Sequence, residues 1–311
     1  MKNMKTVAGM LCLAGILSLG MGTTVFAEDG DSHYPVTITT YNYENEPVEM
    51  TFEKAPEKVF AYANSNIEEL LALGLGDKIV AAYGLDGDVR EDLKDEFDKI
   101  QYMDTKPSKE EVVAMEPDFI AAWYSSFSDD WLSDVSFWQE RDVNTYMSLN
   151  SSAKGPASEF PRTIEDEYED ILNLGKIFDC EDKAEEIVDQ MKGEIDKVKE
   201  HVEGTDPLSV AVLEDEGDSF RVYGTETLGG NIPETLGAEL KLGAENSENV
   251  GAEDLIAADP DVLFMINYDG FMTADEAIAD ITDNPAYASL SAVKNNKVFS
   301  VNLNEVYCSG V

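Results

Sequence analysis

Residues 108–121 read SKEEVVAMEPDFIA, and residues 251–264, 143 positions later, read GAEDLIAADPDVLF. The two stretches align without a gap, and most of the remaining pairs are conservative exchanges. The identical pairs are Glu110 with Glu253, Ala114 with Ala257, Pro117 with Pro260, and Asp118 with Asp261. Agreement over the whole stretch indicates an internal repeat, and therefore two similar structural units in one chain.

Each copy has the pattern of a short helix followed by a buried strand. Ser108 with Glu111 three residues later is the capping-box pattern of a helix start. Pro117 and Pro260 cannot continue a helix, because proline lacks the backbone N–H and its ring blocks the preceding turn. The apolar runs 119–123 and 262–266 then fit interior strands. The repeat predicts one helix–strand unit in each of two lobes.

The stretch between the two copies has a different character. Strand patterns are almost absent from residues 162–202, and apolar residues recur at helical spacing in its second part. These residues are Ala184, Ile187, Val188, Met191, Ile195, Val198 and Val202. Gly204 and Pro207 are helix stop signals. The pattern predicts one long helix that crosses once from lobe to lobe.

Outside this helix, strand and helix patterns alternate, which is typical of parallel sheets. The fold class is therefore α/β, with two lobes of largely parallel sheet joined by a single long helix. We assign residues 1–27 to a signal peptide, 28–55 to an N-terminal segment, 56–160 to lobe 1, 161–204 to the connecting helical segment and 205–311 to lobe 2.

The first 27 residues have the three parts of a secretory signal peptide. Lys2 and Lys5 precede an apolar stretch at residues 7–19, and the small residue Ala27 stands before an acidic run. The stretch is too short for an ordinary transmembrane helix. We therefore expect an exported protein, located in the periplasm or at the cell surface.

Cysteine usage gives no disulfide framework. Cys12 lies behind Met10 and Leu11, where a lipoprotein signal needs a small residue directly before the cysteine, so direct acylation is not expected. Removal of the signal peptide leaves Cys180 and Cys308. Two unpaired thiols are predicted, with a bridge between them as the alternative.

The formal net charge of −42 argues against nucleic acid as a partner, because binding to phosphates relies on Lys and Arg. Acidic residues are concentrated in predicted helices and loops, where they form solvated faces. Such a surface disfavours highly anionic ligands unless Arg221 and other basic residues are concentrated at the binding site.

Aromatic residues recur just after the predicted strands of both lobes. Ligands bind beyond the carboxyl ends of strands in open parallel sheets, so these residues predict a shared cleft. The candidate ligand contacts are Tyr62, Tyr83, Trp123, Tyr124, Tyr223, Tyr268 and Tyr307, with Phe127 and Phe271 in the same loops. Arg221 is added because basic residues are scarce, although pairing with a neighbouring carboxylate is its alternative role.

Patterns of catalytic and cofactor sites are missing from the sequence. His33 and His201 are the only histidines, which disfavours Ser-His-Asp and Cys-His arrangements as well as sites for bare zinc. No catalytic residue, metal site or cofactor is predicted, and a metal is expected only as part of a chelate ligand.

The duplicated E-x-h-h-A-x-x-P-D unit (h, apolar), the long connecting helix and the export signal together resemble the iron-siderophore and vitamin B12 class of ABC-transporter substrate-binding proteins. The resemblance extends from about Pro56 to the end. It implies a ligand cleft between two α/β lobes and delivery to a membrane permease dimer. In that family a glutamate on each lobe docks onto permease arginines, and by motif position these are Glu110 and Glu253. The alternative is that both are ordinary first-turn glutamates.

The expected function is therefore capture of an iron chelate (siderophore) by a monomeric binding protein that is not an enzyme. Cobalamin or haem is the alternative ligand, and a secreted hydrolase using carboxylates such as Asp86 or Asp269 is the alternative class. Two features depart from the family pattern. The sequence has no lipobox, and the C-terminal helix usual in the family has no counterpart after the last predicted strand.

Overall fold

The structure, a computed structural model, describes residues 33–243 and 249–311, so the predicted signal peptide and Cys12 lie outside the described residues. The strands are β1 (Val36–Tyr41), β2 (Pro47–Phe52), β3 (Val59–Tyr62), β4 (Ile79–Tyr83), β5 (Phe119–Ala122), β6 (Asn144–Met147), β7 (Ser209–Asp215), β8 (Phe220–Val222), β9 (Glu239–Leu240), β10 (Val262–Asn267) and β11 (Val298–Asn302). The helices are α1 (Asn64–Ala72), α2 (Lys94–Phe97), α3 (Lys109–Ala114), α4 (Val135–Gln139), α5 (Ile164–Ile177), α6 (Glu181–Val202), α7 (Leu228–Thr235), α8 (Ala252–Ala258), α9 (Ala274–Thr282) and α10 (Ser291–Lys294).

Lobe 1 is built on a fully parallel sheet with strand order β4-β3-β5-β6. Apolar clusters cover both faces of this sheet. One contains residues of α1, α5 and the first half of α6, and the other contains residues of α3 and α4. A sheet buried on both faces explains why its strands read as continuous apolar runs.

Lobe 2 has the order β11-β10-β7-β8, and β9 also pairs with β7. The pairs of β10 with β7 and β11 and of β7 with β9 are parallel, whereas β8 runs antiparallel to β7. The prediction of a largely parallel sheet in each lobe is confirmed. One face packs under α8, α9 and α10, while the other carries a smaller cluster beside the exposed Phe299.

The repeat is visible in the backbone as well as in the sequence. A non-glycine residue with positive φ follows α3 and α8 within two residues, Glu116 at 52° and Asp259 at 42°. These two residues occupy equivalent positions, and the proline follows each of them. The strands β5 and β10 come next, and each lies in the interior of its sheet. Both predicted helix–strand units are confirmed.

The helix α6 links the lobes, as predicted, and its apolar stripe is only partly buried. Ala184, Ile187 and Val188 pack against lobe 1. Val198, nearer the C-terminal end, is exposed. The first half of the helix is therefore fixed to lobe 1, and the second half extends towards lobe 2.

The end of the chain adds a second contact between the lobes. After β11 the chain returns to lobe 1, where Cys308 is buried beside Ala63 and Trp123. Gly310, with φ of 69°, lies so close to α1 that a Cβ would come within 3.1 Å of the Ser65 backbone. Its N–H donates to the Glu167 carboxylate of α5. The segment after β11 thus brings Cys308 and Gly310 into contact with lobe 1.

The N-terminal segment folds as a hairpin on lobe 1. Residues 36–52 form the antiparallel hairpin β1–β2, whose alternate side chains Ile38, Met50 and Phe52 are buried against lobe 1.

Cys180 and Cys308 are both free thiols, in agreement with the prediction. No helix within the two described ranges is long and apolar enough to span a membrane.

Candidate functional site

An aromatic cluster stands at the carboxyl edge of the lobe 1 sheet. Tyr62 ends β3 and Tyr83 ends β4, and their rings are stacked with centroids 6.0 Å apart. Trp123 follows β5 and meets Tyr62 edge to face at 5.7 Å. Parallel neighbouring strands end at the same edge of a sheet, which explains why residues far apart in sequence meet here.

A further tryptophan belongs to this cluster and was not predicted. Trp131 lies edge to face with Tyr62 at 4.8 Å and with Tyr83 at 6.1 Å. It follows no strand, so the rule used on the sequence could not find it. Only the scarcity of tryptophan, three in the chain, was available as a signal.

Tyr62, Tyr83, Trp123 and Trp131 together form an aromatic wall, and hydrogen bonds hold its two indoles in place. Trp123 Nε1 donates to Ser65 Oγ at 3.0 Å, and Trp131 Nε1 donates to the Pro107 carbonyl at 2.7 Å. Lys106 Nζ lies 4.2 Å from the Trp131 ring centroid, a cation–π distance. Burial raises the pKa of Tyr62 to about 12, so its phenol is uncharged at neutral pH. The wall is thus a rigid, largely neutral aromatic surface.

The returning chain completes this wall with Tyr307, whose ring lies 5.2 Å from that of Trp123. On the lobe 2 side, Tyr268 follows β10 and stacks on Phe271 at 4.9 Å. Nearby, Asp269 N–H donates to the Asp86 carbonyl of lobe 1 at 3.0 Å. The loops after β4 and β10 therefore meet, and the aromatic residues of the two lobes border one region.

Arg221 does not present a free positive charge to this region. Its guanidinium lies 3.6 Å from Glu214 Oε2 and 5.2 Å from the centroid of the Tyr223 ring. The Tyr223 hydroxyl donates to the same carboxylate at 3.0 Å, and the Tyr223 ring is buried in lobe 2. Glu214 thus offsets the charge of the arginine, which matches the alternative role considered for Arg221. Tyr223 contacts both members of this pair.

Two other predicted aromatics have different surroundings. Tyr124 stacks on Tyr43 of the N-terminal hairpin at 4.8 Å and donates a hydrogen bond to the Tyr43 carbonyl at 2.7 Å. Phe127 is fully buried in a core cluster of lobe 1. The structure therefore groups Tyr62, Tyr83, Trp123 and Tyr307, and places Tyr124 and Phe127 in separate contacts.

The electrostatics at the meeting point of the lobes are acidic. Burial raises the pKa of Asp86, and the nearby Asp269 carboxylate raises it further. Arg221 is already paired to Glu214, so it does not offset Asp86 and Asp269, while Lys106 lies beside Trp131 on the lobe 1 side.

The repeat glutamates occupy equivalent positions in the two lobes. Glu110 is the second residue of α3 and Glu253 the second residue of α8, and both are exposed. The capping hydrogen bonds use their neighbours instead. Glu111 accepts from the Ser108 N–H at 2.8 Å, and Asp254 accepts from the Gly251 N–H at 2.9 Å. Within the described chain, neither Glu110 nor Glu253 takes part in a salt bridge.

The repeat aspartates have a structural role that the sequence did not reveal. Asp118 accepts a hydrogen bond from the Lys58 N–H at 2.8 Å, directly before β3. Asp261 accepts from the N–H and the hydroxyl of Ser209, the first residue of β7, at 3.0 and 2.7 Å. In each lobe the aspartate therefore fixes the start of the strand that pairs with its own.

Comparison with known proteins agrees with this architecture. The family model described as "Periplasmic binding protein" matches residues 59–302. The crystal structure of a periplasmic binding protein from Veillonella parvula superposes with a TM-score of 0.81, covering 89% of this chain and 87% of that one. The two sequences are 32% identical.

Two relatives from Bacillus subtilis align with lower identity. The uncharacterized ABC transporter substrate-binding lipoprotein YvrC is 24% identical over 100% of this chain and 93% of its own length. The Fe(3+)-citrate-binding protein YfmC is 25% identical over 63% of this chain and 56% of its own length. With the family model matched across both lobes and the two-lobed fold in place, the chain belongs to the periplasmic binding protein family.

Proposed function

We propose that this protein is the extracytoplasmic substrate-binding component of an ABC importer and that it captures an iron chelate between its two lobes. Membership of the periplasmic binding protein family supports the binding role. One relative is named as an ABC transporter substrate-binding lipoprotein and another as an Fe(3+)-citrate-binding protein, which supports the transport system and the ligand class.

The observation that carries the proposal is the aromatic wall where the lobes meet. Tyr62, Tyr83 and Trp123 at the carboxyl ends of parallel strands, together with Trp131 and Tyr307, form a continuous series of ring contacts. A wall of this kind offers apolar surface and polar hydroxyls to a bulky organic ligand. The metal of such a ligand would arrive already chelated and would need no protein ligands of its own.

The charge of the region sharpens the ligand class. Asp86 and Asp269 stand at the meeting point of the lobes, and the charge of Arg221 is offset by Glu214. A triply anionic ferric catecholate would meet repulsion from these carboxylates. We therefore propose a neutral or weakly charged chelate of the hydroxamate type.

Glu110 and Glu253 are the proposed contacts with the permease. Equivalent exposed carboxylates on pseudo-symmetric lobes can meet equivalent arginines on a dimer of permease subunits, and charge complementarity assists encounter and register. This role fits an exported protein at the outer side of the membrane, acting as a monomer.

Tryptophan fluorescence provides the direct test, because Trp123 and Trp131 both belong to the aromatic wall. The protein is titrated with a ferric hydroxamate, a ferric catecholate, ferric citrate, cobalamin and haem. We expect saturable quenching, strongest in affinity for the ferric hydroxamate. The buried Trp138, bonded through Nε1 to the Leu132 carbonyl, supplies the control. A Trp138→Phe variant should keep the response, and a Trp123→Phe variant should lose much of it.

The possible outcomes separate the candidate ligands. Tighter binding of the catecholate than of the hydroxamate would contradict the proposed charge class while leaving the transport role intact. Saturable binding of cobalamin or haem alone would replace the iron chelate with the alternative ligand. An absence of response to every compound would overturn the proposed function.

A further inference from the structure

We propose that His33, Asp179 and Glu181 form a binding site for a divalent transition cation of the zinc class, separate from the ligand cleft. His33 precedes β1, Asp179 lies in the turn between α5 and α6, and Glu181 is the first residue of α6. One ligand atom from each of these three residues lies within 4.8 Å of the other two. The site would join the N-terminal segment to the start of the helix that links the lobes.

The distances fit a tetrahedral cation site. His33 Nδ1 is 3.2 Å from Asp179 Oδ1 and 3.3 Å from Glu181 Oε1. Zinc bonds nitrogen and oxygen at about 2.0–2.2 Å, and two ligands of a tetrahedron with such bonds are separated by roughly 3.3 Å. The atoms are therefore already spaced as two edges of a zinc coordination shell, with one position left for water.

The other ring nitrogen of His33 supplies an independent observation. Nε2 lies 2.7 Å from the Lys176 carbonyl oxygen, and since a carbonyl only accepts, Nε2 carries the proton. Nδ1, the nitrogen that faces Asp179 and Glu181, is then the one available to a cation whenever the ring is neutral. A cation between the three groups would take one ligand atom from each of them. A backbone carbonyl that fixes the tautomer of a ligating histidine is the usual outer contact of metal sites.

The local fold holds the three residues together. The Tyr34 hydroxyl donates to the Ile177 carbonyl at 2.8 Å, which anchors the residue next to His33 at the end of α5. Asp179 adopts φ of 54°, so the turn reverses sharply and brings Asp179 and Glu181 to the same side. The His33 side chain is only 17% exposed, whereas the two carboxylates are 45% and 39% exposed. The site is therefore positioned by the backbone and open to ions.

The donor set favours zinc over calcium or magnesium. Calcium takes six to eight oxygen ligands and magnesium an octahedron of oxygens, and neither selects an imidazole. Zinc, cobalt and nickel accept imidazole together with carboxylate. One nitrogen and two carboxylate oxygens with a water molecule complete a four-coordinate site.

The test uses the full chain without a histidine tag, stripped with a chelator and dialysed into physiological salt with excess Mg²⁺ to saturate the acidic surface. Isothermal titration with Zn²⁺ should show one site of higher affinity than the background. His33→Ala and Asp179→Asn should each weaken this site at least about tenfold, since loss of outer contacts alone costs 10–100-fold. Co²⁺ should develop the visible absorption of a tetrahedral nitrogen–oxygen complex in the wild type and not in His33→Ala.

Matched controls lie on the same helix, His201 at its far end and Asp182 next to the site. His201→Ala removes the other histidine, and Asp182→Asn removes an acidic residue beside the site, so neither should change zinc affinity or the cobalt spectrum. Equal zinc binding by wild type and His33→Ala would overturn the proposal and leave only binding to the acidic surface. A wild-type protein that binds no zinc would also overturn it, with His33 then a protonated partner of the two carboxylates. Quenching by the iron chelate should be the same with and without zinc, which keeps this test distinct from that of the cleft.

Discussion

The two copies of the repeat share their backbone and their identical residues, yet these residues divide into two kinds. Asp118 and Asp261 are used inside the lobes, where each accepts hydrogen bonds at the start of the neighbouring strand. Glu110 and Glu253 are exposed, and the capping hydrogen bonds at these helix starts are accepted by Glu111 and Asp254 instead. Identity between the lobes therefore reflects a shared internal requirement for the aspartates. For the glutamates the described part of the chain shows no such contact, and we propose that a partner recognises them.

The lobes differ in how they treat buried carboxylates. In lobe 2, Glu214 lies beside the guanidinium of Arg221. In lobe 1, Glu69, Glu167 and Asp170 are buried together, and burial together with their mutual repulsion raises the pKa of Glu69 and Asp170 well above the usual range. Ionisation of these carboxyl groups should therefore lower the stability of lobe 1.

The largest expected effect comes from removing both repeat glutamates. The double variant Glu110→Ala, Glu253→Ala should abolish uptake of labelled ligand by cells expressing the cognate permease, because both docking charges are lost. Ligand affinity should be unchanged, since the two residues lie at helix starts away from the aromatic wall. Each single variant should impair uptake partly.

The same variants test whether the glutamates are merely helix-start residues. Charges near a helix N-terminus contribute about 0.3–1 kcal/mol each at exposed positions, so the double variant should remain folded. Glu116→Ala, in the same repeat but outside the helix start, is the matched control. Normal uptake by the double variant would remove the docking role and leave both residues as surface charges.

The two sides of the cleft should contribute unequally to binding. Trp123→Ala should weaken ligand affinity at least about tenfold, or about 1.4 kcal/mol, because Trp123 contacts both Tyr62 and Tyr307. Tyr268→Ala should cost less, since Tyr268 packs mainly on Phe271. Because Trp123→Ala removes one of the fluorescent reporters, affinity is measured by calorimetry. A larger loss for Tyr268→Ala would reverse the assignment of the main contact wall.

The difference in buried carboxylates predicts how stability depends on pH. Burial raises the pKa of Glu167 from 4.5 to about 7, while hydrogen bonds from Asn150, Gly310 and Ser309 oppose the shift. The folded state therefore binds more protons than the unfolded state between these values, and stability should fall as the pH rises from about 4.5 to 7. The loss attributable to Glu167 is on the order of 3 kcal/mol at most.

Denaturant unfolding at pH 5 and pH 8 measures this effect. Glu167→Gln keeps the shape of the side chain and removes its charge, so its stability should decline less between the two pH values. The groups that face Glu167 include Glu69 of α1, Asp166 and Asp170 of α5, and Cys308 of the returning chain. Some decline should therefore persist. An unchanged slope in Glu167→Gln would assign the pH dependence to the other buried acids.

The smallest expected effects come from the repeat aspartates. Asp118→Ala and Asp261→Ala each remove hydrogen bonds at the start of one strand, so both should lower the melting temperature modestly and to a similar extent. Uptake should be unaffected at temperatures where the variants are folded. Differential scanning calorimetry makes the comparison, with Glu110→Ala, which removes only an exposed helix-start charge, as the reference for a small change. A strong loss in one lobe alone would mean that the two copies no longer have equivalent structural roles.

Much of the fold was predictable because its signals are local. The capping box at Ser108, the prolines after α3 and α8, and the apolar runs of β5 and β10 depend on hydrogen bonding and chain geometry within a few residues. The hairpin β1–β2 was missed, since its alternation is short and only packing on lobe 1 makes Ile38 and Phe52 core residues. Trp131 was missed for a similar reason, because no strand precedes it.

The sequence by itself determined that two α/β units exist, that a long helix joins them, and that Glu110 and Glu253 occupy matching positions. Periodicity, helix caps and a repeat are properties of neighbouring residues, so a linear reading can find them. Only the tertiary structure decided that Arg221 is paired with Glu214, that the chain returns to lobe 1 through Cys308, and that His33 meets Asp179 and Glu181. These contacts join residues distant in sequence, and they form because packing of the lobes brings together charges and rings that no local pattern links.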